Sequence, residues 1–196
     1  MLDQTLQYYE QNAEAFFQGT ISADMRDAQK RFMKELPSQA YILDLGCGSG
    51  RDTKEFLQKG YRVDAVDGSA ELCQKASEWT GITVRQMLFQ DLSAKDMYDG
   101  IWACASILHL PRKELESVLR KISDALKVGG VFYTSFKYGE FEGIRNGRYF
   151  TDFTEETLRA MMAEIPSLKI FEEWMTHDVR PGREEDQWIN ILARRI

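Results

Sequence analysis

The sequence predicts an α/β fold, in which one doubly wound, mostly parallel sheet has helices on both faces. Short apolar runs typical of buried strands alternate with stretches of helical periodicity along the chain. The first clear run, residues 41–45, passes into a glycine-rich turn and then into a helix start at Arg51. Parallel strands need such crossover helices, so the alternation predicts a parallel sheet. Since no linker or repeat interrupts it, we expect a single domain that spans residues 1–196.

The remaining elements follow from the same criteria. Two amphipathic helices over 2–18 and 24–36 precede the first strand. After the glycine turn, the patterns predict these elements in order: a helix over 52–59, a strand over 62–67, a helix over 70–79, strands over 82–87 and 98–105, a helix over 111–126 and a strand over 131–136.

The last third of the chain differs in character. Residues 137–153 are polar and contain several glycines, so we expect a long loop on the substrate side of the sheet. A helix then starts at Thr154, and strands over 168–175 and 188–193 close the chain. Since their connection is short, these two strands should be antiparallel.

Composition limits the classes of function. The 196 residues, 43% of them hydrophobic, suit one globular domain, and a net charge of -6 disfavours broad adhesion to nucleic acid or to anionic membranes. The three cysteines include no C-x-x-C pair, so we expect neither a disulfide framework nor a metal site. The first residues lack the basic and apolar regions of a signal peptide, and no long apolar run follows. We expect a cytoplasmic protein that acts on a small molecule, with an oligomeric state that these features leave open.

The glycine turn is the strongest local signal. Glycine at positions 46, 48 and 50 removes every second side chain, so a ligand can lie against backbone N–H groups near the start of a helix. A dinucleotide fingerprint would require glycine where Arg51 stands, which disfavours a nicotinamide-dependent oxidoreductase. We therefore expect an adenosine-containing ligand of another kind.

An acid at the end of the second strand supports that interpretation. Asp67 follows Asp44 by 23 positions, about the length of one strand, crossover helix and strand. A carboxylate at this place can accept hydrogen bonds from both hydroxyls of a ribose. The alternative role is a helix cap, which Ser69 can fill equally well.

Together these motifs resemble the class I S-adenosylmethionine (SAM) dependent methyltransferases. The resemblance is strongest to the small bacterial type-11/type-25 and tellurite-resistance-like group, in which Gly-Cys-Gly-Ser-Gly-Arg-Asp and Asp-Val-Arg-Pro-Gly-Arg also occur. It implies a Rossmann-like sheet of seven strands in the order 3-2-1-4-5-7-6, with the last strand antiparallel. It also implies S-adenosyl-L-methionine as cofactor, S-adenosyl-L-homocysteine (SAH) as product, and methylation by in-line displacement.

The resemblance assigns roles to individual residues. The cofactor-binding residues that it implies are Asp44, Gly46, Cys47 and Gly48 for the methionine part, Asp67 for the ribose, Gly68, Gln90, Asp91 and Leu92 for the adenine, and Ser106 beside the sulfonium. The family's Asn/Asp-Pro-Pro-Tyr/Phe signature is absent, since Ala105-Ser106-Ile107-Leu108 stands there. This argues against N-methylation of nucleic acid bases by that mechanism.

The acceptor side is less defined. His109, just beyond the fourth strand, is the best-placed general base if the acceptor must lose a proton; the alternative is a helix cap or part of the pocket wall. The N-terminal helices could cover the cofactor site through Tyr9 and Phe16, which could equally be core residues. A basic cluster suggests an anionic acceptor. The candidate substrate-side residues are Tyr9, Phe16, Lys137, Tyr138, Arg145, Arg148, His177 and Arg180, with Arg183 nearby.

Two other functions remain open from the sequence. One is a non-catalytic SAM-binding regulatory module, because methyl transfer requires no particular side chain. The other is a methyltransferase that acts on RNA, although the acidic composition favours a small acceptor. The identity of the acceptor atom is open as well.

Overall fold

The structure is a computed structural model that describes residues 2–180 and 182–196, so Pro181 of the Asp-Val-Arg-Pro-Gly-Arg motif lies outside the described residues. Nine strands occur in these ranges, and seven of them form one sheet in the order β3-β2-β1-β4-β5-β9-β8. The strands are β1 Tyr41–Leu45, β2 Arg62–Asp67, β3 Val84–Gln86, β4 Tyr98–Ala103, β5 Leu126–Lys137, β6 Glu142–Arg145, β7 Arg148–Thr151, β8 Leu168–His177 and β9 Gln187–Arg195.

The seven-stranded sheet confirms the predicted topology. Strands β1 to β5 pair in parallel, whereas β9 pairs antiparallel with both β5 and β8. Counted within this sheet alone, the order is the predicted 3-2-1-4-5-7-6 with the last strand reversed. No helix in the described part of the chain is long and apolar enough to cross a membrane.

Seven α-helices connect or cover the strands within the described ranges. They are α1 Leu2–Gln11, α2 Ala13–Thr20, α3 Arg26–Lys34, α4 Arg51–Gln58, α5 Ala70–Thr80, α6 Arg112–Ala125 and α7 Glu155–Ala163. Short 3₁₀ turns occupy Phe89–Asp91 and Ile107–His109. The predicted single helix over 2–18 is divided, because the Asn12 side chain donates to the carbonyl of Tyr8 (2.7 Å) and its backbone is not helical.

Alternating side chains of the central strands build a core on each face of the sheet. Trp102 and Tyr133 stack at 3.9 Å between ring centroids and pack with the aromatic residues of α3 and α4. Their neighbours Ile101 and Phe132 point to the opposite face and pack with α6 and α7. Successive side chains of a strand point to opposite faces of the sheet, and helices cover both faces, so each central strand is apolar on both sides.

The segment after β5 differs from the prediction. We expected a loop over 137–153, but the structure forms the β6–β7 hairpin there. Its turn is Asn146-Gly147, with φ of 51° and 78°, the left-handed conformations that a two-residue hairpin turn requires. The hairpin lies against α1, since Tyr149 N donates to Thr5 Oγ1 at 2.9 Å. Helix α1 and the hairpin together form a roof over the carboxyl ends of the strands.

Candidate active site

A cavity of about 450 Å³ lies at the carboxyl ends of the parallel strands. Its floor comes from the turn after β1 and from the ends of β2, β4 and β5, and its roof from α1, α2 and the β6–β7 hairpin. This is the side of an open parallel sheet on which ligands bind, and the volume is within the usual range for small-molecule sites.

Close packing explains the glycines of the turn after β1. Gly46 has φ of 82°, and a Cβ there would lie 2.5 Å from Cβ of Ser106. Gly48 has φ of 55°, and a Cβ there would lie 3.0 Å from the ring of Phe16. Ser106 itself is anchored, since its Oγ donates to the carbonyl of Leu45 at 2.7 Å. The turn therefore presents bare backbone to the cavity.

Asp67 ties the end of β2 to this turn. Its Oδ2 accepts from Gly48 N, and its Oδ1 accepts from Ser69 N, both at 2.9 Å. Burial raises the pKa of the Asp67 carboxyl above its usual value, against the effect of these N–H donors. The Ser69 hydroxyl caps α5 by accepting from Leu72 N. Asp67 is thus not needed as that helix cap, and its remaining lone pairs are available in the cavity.

The adenine contacts expected after β3 divide into two groups. Gln90 lines the cavity; its Nε2 donates to Glu114 Oε2 at 2.9 Å, and its buried Oε1 has no partner among the described residues. By contrast, Asp91 is exposed and Leu92 is buried in the core, and neither lines the cavity. The physical reason is the 3₁₀ turn over Phe89–Asp91, which rotates successive side chains away from the cavity.

Apolar side chains complete this end of the cavity. Leu88 and Phe89 line it beside Gln90 and give this end an apolar wall. From the roof, Leu6 of α1 approaches Gly68 so closely that a Cβ at position 68 would lie 2.6 Å from Leu6 Cδ2. The contribution of Leu6 could not be predicted from the sequence, because the helical pattern of α1 does not show which side chains face the sheet.

A buried charged network lies beneath the glycine turn. Asp52 accepts from Arg51 at 2.7 and 2.9 Å, from Trp102 Nε1 at 2.9 Å and from Gln29 Nε2 at 2.7 Å. Burial acts to raise the pKa of Asp52, but the Arg51 ion pair and these donors hold it below its usual value. Arg51 and Asp52 were not among the predicted site residues, although Arg-Asp directly follows the glycines in the Gly-Cys-Gly-Ser-Gly-Arg-Asp motif.

Asp44 has the opposite electrostatic environment. It accepts one hydrogen bond, from Thr53 Oγ1 at 2.6 Å, and is 2% exposed. Burial, followed by the negative charge of Asp52, raises its pKa well above the usual range. Because Asp44 also lines the cavity, a cationic group bound there would stabilise its ionised form.

His109 and Tyr9 form a hydrogen-bonded pair in the roof of the cavity. Tyr9 Oη lies 2.7 Å from His109 Nε2, and His109 Nδ1 lies 2.6 Å from the carbonyl oxygen of Tyr149. A carbonyl oxygen only accepts, so Nδ1 carries the proton, and Nε2 accepts from the Tyr9 hydroxyl. Burial lowers the pKa of His109 to about 4, and nearby Arg148 acts in the same direction. The imidazole is therefore neutral at physiological pH.

Most of the basic side chains in the cavity are already paired. Arg145 binds both carboxylate oxygens of Asp152, Arg180 pairs with Asp178, and Lys137 pairs with Asp186 at 2.6 Å. His177 lines the cavity and is exposed, with Nδ1 at 2.8 Å from the carbonyl of Glu184. Tyr138 does not line the cavity, contrary to our expectation, because it points to solvent after β5.

Two cavity arginines have no ion pair among the described residues, the exposed Arg183 and the buried Arg148. Arg148 is 9% exposed and lines the cavity, yet no carboxylate in the described part of the chain forms an ion pair with it. Its guanidinium donates one hydrogen bond, from Nη1 to Tyr9 Oη at 3.3 Å, and packs 4.6 Å from the centroid of the Tyr8 ring. Its Nε is buried and has no partner among the described residues.

The residues present fit SAM. The bare backbone of the glycine turn, the carboxylate of Asp67 and the orphaned carbonyl oxygen of Gln90 match a sulfonium-linked nucleoside, its sugar hydroxyls and an adenine amino group, respectively. Asp44 would face the amino group of the methionine part. The seven-stranded sheet and this cavity define the class as the Rossmann-like, class I methyltransferase fold.

Comparison with known proteins leads to the same class. Residues 42–130 match the family model for a methyltransferase domain. The ubiquinone biosynthesis O-methyltransferase of Xanthomonas axonopodis pv. citri is 29% identical over 106 residues, which cover 50% of this chain and 44% of that protein. The probable SAM-dependent methyltransferase TehB of Haemophilus influenzae is 28% identical over 116 residues, which cover 56% of this chain and 38% of that protein. Over residues 42–130 the chain is thus similar to the class I SAM-dependent methyltransferases of the type-25 kind.

The solved structures extend the likeness in fold to the whole chain. The 1,6-didemethyltoxoflavin-N1-methyltransferase of Burkholderia thailandensis, solved with bound 1,6-didemethyltoxoflavin and SAH, matches with a TM-score of 0.77. The match covers 99% of this chain and 86% of that chain at 22% identity. The chain spans about half the length, or less, of the curated relatives named above.

Proposed function

We propose that this protein is a SAM-dependent methyltransferase that moves the methyl group of S-adenosyl-L-methionine to a small, anionic acceptor by in-line displacement. The observation that carries the proposal is the division of one cavity into two chemically different parts. One part consists of the glycine turn, Asp44, Asp67 and Gln90, and the other holds Arg148 and the Tyr9–His109 pair.

The first part suits the cofactor. When bound, SAM supplies a methyl group on a positively charged sulfur that is a good leaving group, so the protein mainly has to align the reactants and exclude water. The backbone at positions 46–48 and the Asp67 carboxylate would position the adenosyl part, and Ser106 would lie beside the sulfur. Helices α1 and α2 would cover the site through Tyr9 and Phe16, both of which line the cavity.

The second part suits the acceptor. A nearly buried guanidinium without a carboxylate partner is costly unless an anion binds to it. Arg148 is therefore a better candidate for the anion site than Arg145 or Arg180, whose charges are already compensated within the protein. A planar guanidinium binds carboxylate or phosphate groups through paired hydrogen bonds, which gives both affinity and orientation.

The proposal is tested in two steps. First, calorimetric titration with SAH should show binding at one site. Second, the protein should transfer labelled methyl groups from SAM into the small-molecule fraction of a cell extract. Binding of SAH without any labelled product would favour the non-catalytic regulatory module, and label that appears only in RNA would favour an RNA methyltransferase.

A matched pair of variants tests the acceptor half. Arg148→Met should lower methylation of the small-molecule fraction at least tenfold while SAH affinity stays unchanged. Arg159→Met removes an exposed arginine outside the cavity, which pairs with Glu173, and should change neither quantity. Unchanged methylation by the Arg148 variant would remove the anionic-acceptor hypothesis but not the methyltransferase assignment.

The cytoplasmic location expected from the sequence stays a prediction.

A further inference from the structure

We infer that Tyr9 and His109 form a proton relay that becomes active when an anionic group of the acceptor neutralises Arg148. The acceptor would then be a small acid that carries an O–H or N–H nucleophile. This inference rests on the proposed function and adds to it the class of acceptor and the route of its proton. Three contacts carry it: the Tyr9–His109 hydrogen bond, the His109–Tyr149 hydrogen bond and the contact between Arg148 and Tyr9.

The hydrogen bonds fix the direction of proton transfer. His109 Nδ1 is committed to the carbonyl of Tyr149 at 2.6 Å, so the only basic atom of the imidazole is Nε2. The Tyr9 hydroxyl occupies this atom at 2.7 Å and also lines the cavity. An acceptor in the cavity therefore reaches the imidazole through Tyr9 Oη, which can take one proton while it gives another to Nε2.

Burial is the main reason that the imidazole resists a proton, and the charge of Arg148 adds to it as the part that a bound ligand can change. The Arg148 guanidinium donates to Tyr9 Oη at 3.3 Å and packs 5.1 Å from the centroid of the Phe150 ring, which in turn contacts His109 edge-on. A positive charge at this distance disfavours a second positive charge on His109. A bound carboxylate or phosphate would cancel this effect.

The other charged groups around the pair do not take this role. Lys137 of β5 and Arg180 after β8 each have a carboxylate partner, Asp186 and Asp178. Asp67 at the end of β2 acts on Tyr9 and is held by backbone N–H groups, and Tyr8 on α1 stacks on Arg148. Arg183 also lines the cavity without an ion pair among the described residues, but it is exposed. Arg148 is thus the uncompensated charge that is both buried and hydrogen-bonded to the pair, through Tyr9 Oη.

The methyl transfer balances in bonds, protons and charge. The acceptor forms a bond to the methyl carbon as the bond from that carbon to sulfur breaks, and the acceptor's O–H or N–H bond breaks as well. Tyr9 Oη takes this proton, and the original Tyr9 proton moves to His109 Nε2. The positive charge that sulfur loses ends on the imidazolium, so the net charge of the cavity does not change. Solvent removes the proton after the products leave.

The test uses NMR, because the chain has only two histidines, His109 and His177. In the SAH-bound protein with ¹⁵N-labelled histidine, His109 should show the Nδ1–H tautomer and stay neutral to about pH 5. Arg148→Met should raise the pKa of His109 by about one unit, whereas Arg148→Lys should leave it near the wild-type value. Arg159→Met serves as the control and should have no effect.

Anion probes complete the experiment. Benzoate, inorganic phosphate and acetate are added separately to saturation, and at least one should raise the pKa of His109 in the wild-type protein by about one unit but not in Arg148→Met. If no probe shifts the wild-type value, or if the shift is equal in Arg148→Met, the inference is overturned. The result does not depend on turnover, so a failure of methyl transfer in the extract assay remains a separate outcome.

Tyr9→Phe separates the relay from simple packing. The variant keeps the ring contact with Phe16, at 5.0 Å between centroids, but removes the hydroxyl that caps Nε2. We expect an altered Nε2 chemical shift, unchanged SAH affinity, and methylation of the extract's small molecules at least tenfold slower near neutral pH. A wild-type rate in Tyr9→Phe would exclude the relay even if the anion-dependent shift occurs.

Discussion

Replacement of Asp67 by Ala tests the cofactor assignment most directly. In the structure, the two carboxylate oxygens each accept one backbone N–H, from Gly48 and Ser69, both at 2.9 Å. A carboxylate has about four acceptor positions, so about two stay available for the sugar hydroxyls of SAM. The substitution removes these acceptors and also releases the N–H of Gly48 in the glycine turn.

The size of the effect follows from these contacts. A hydrogen bond to a charged group contributes about 1.5–3 kcal/mol, and one of the two expected contacts is enough to lower the affinity by about tenfold or more. Loss of both, together with the released backbone donor, should weaken binding by about 3–4 kcal/mol, or roughly 100- to 1,000-fold. The folded state should tolerate the change, because burial already disfavours the charged Asp67.

Calorimetric titration of SAH into both proteins gives the affinity, and thermal unfolding without ligand checks the fold. Asp91→Ala is the matched control, because Asp91 is exposed, outside the cavity and adjacent to the expected adenine contacts. Its affinity should equal that of the wild-type protein. An Asp67→Ala protein that binds SAH within about threefold of wild type would refute the site, and a large loss in Asp91→Ala would restore the role implied by the sequence.

Three further predictions concern the same cavity. Gly46→Ala places a Cβ 2.5 Å from Ser106 Cβ at a positive φ, so it should lower the free energy of unfolding by about 2 kcal/mol or more in a denaturant titration. Ser106→Gly should recover part of this loss in the double variant, and strictly additive effects would contradict the contact. Burial lowers the pKa of His109 from its usual 6.5 to about 4, so between these values the unfolded state binds the proton that the folded state does not. The free energy of unfolding should therefore decrease as the pH is lowered from about 6.5 to about 4, and less steeply in His109→Gln; equal slopes in urea titrations would contradict the burial. Because the pKa of Asp44 is raised, its carboxyl is largely protonated near pH 7 and should release its proton when the cationic part of SAM binds. Calorimetry in buffers of different ionisation enthalpy measures this release, and Asp44→Asn should abolish it. Equal release by the variant would exclude Asp44 as its source.

The sheet order could be predicted because the resemblance to the class I methyltransferases implies it, and the motifs that carry this resemblance are local. The glycine turn after β1 and the acid at the end of β2 are short signals with a mechanical reason, and the alternation of strands and helices leaves few topologies. The β6–β7 hairpin was missed, although Asn146-Gly147 is a strong turn signal. Its flanking segments are polar and short, so their periodicity does not distinguish strand from loop.

Which of the basic side chains on the acceptor side of the cavity have a carboxylate partner could not be predicted in the same way. The sequence shows several arginines, but whether each is compensated depends on partners that the fold selects. Lys137 and its partner Asp186 are far apart in the chain, whereas Arg180 and Asp178 are nearly adjacent. Only the structure shows that no described carboxylate reaches Arg148, and this makes it the candidate anion site.

The charges of the cavity connect the two proposals. With SAM bound, the cavity would hold the positive sulfur and the uncompensated Arg148 together, and both oppose protonation of His109. A neutral or cationic acceptor leaves this repulsion in place, so its proton has no nearby destination. An anionic acceptor removes part of the repulsion before the reaction, and loss of the charge on sulfur removes more of it during the reaction. In the two proposals taken together, acceptor recognition and acceptor deprotonation would both follow from one contact, that between the acceptor's anionic group and Arg148.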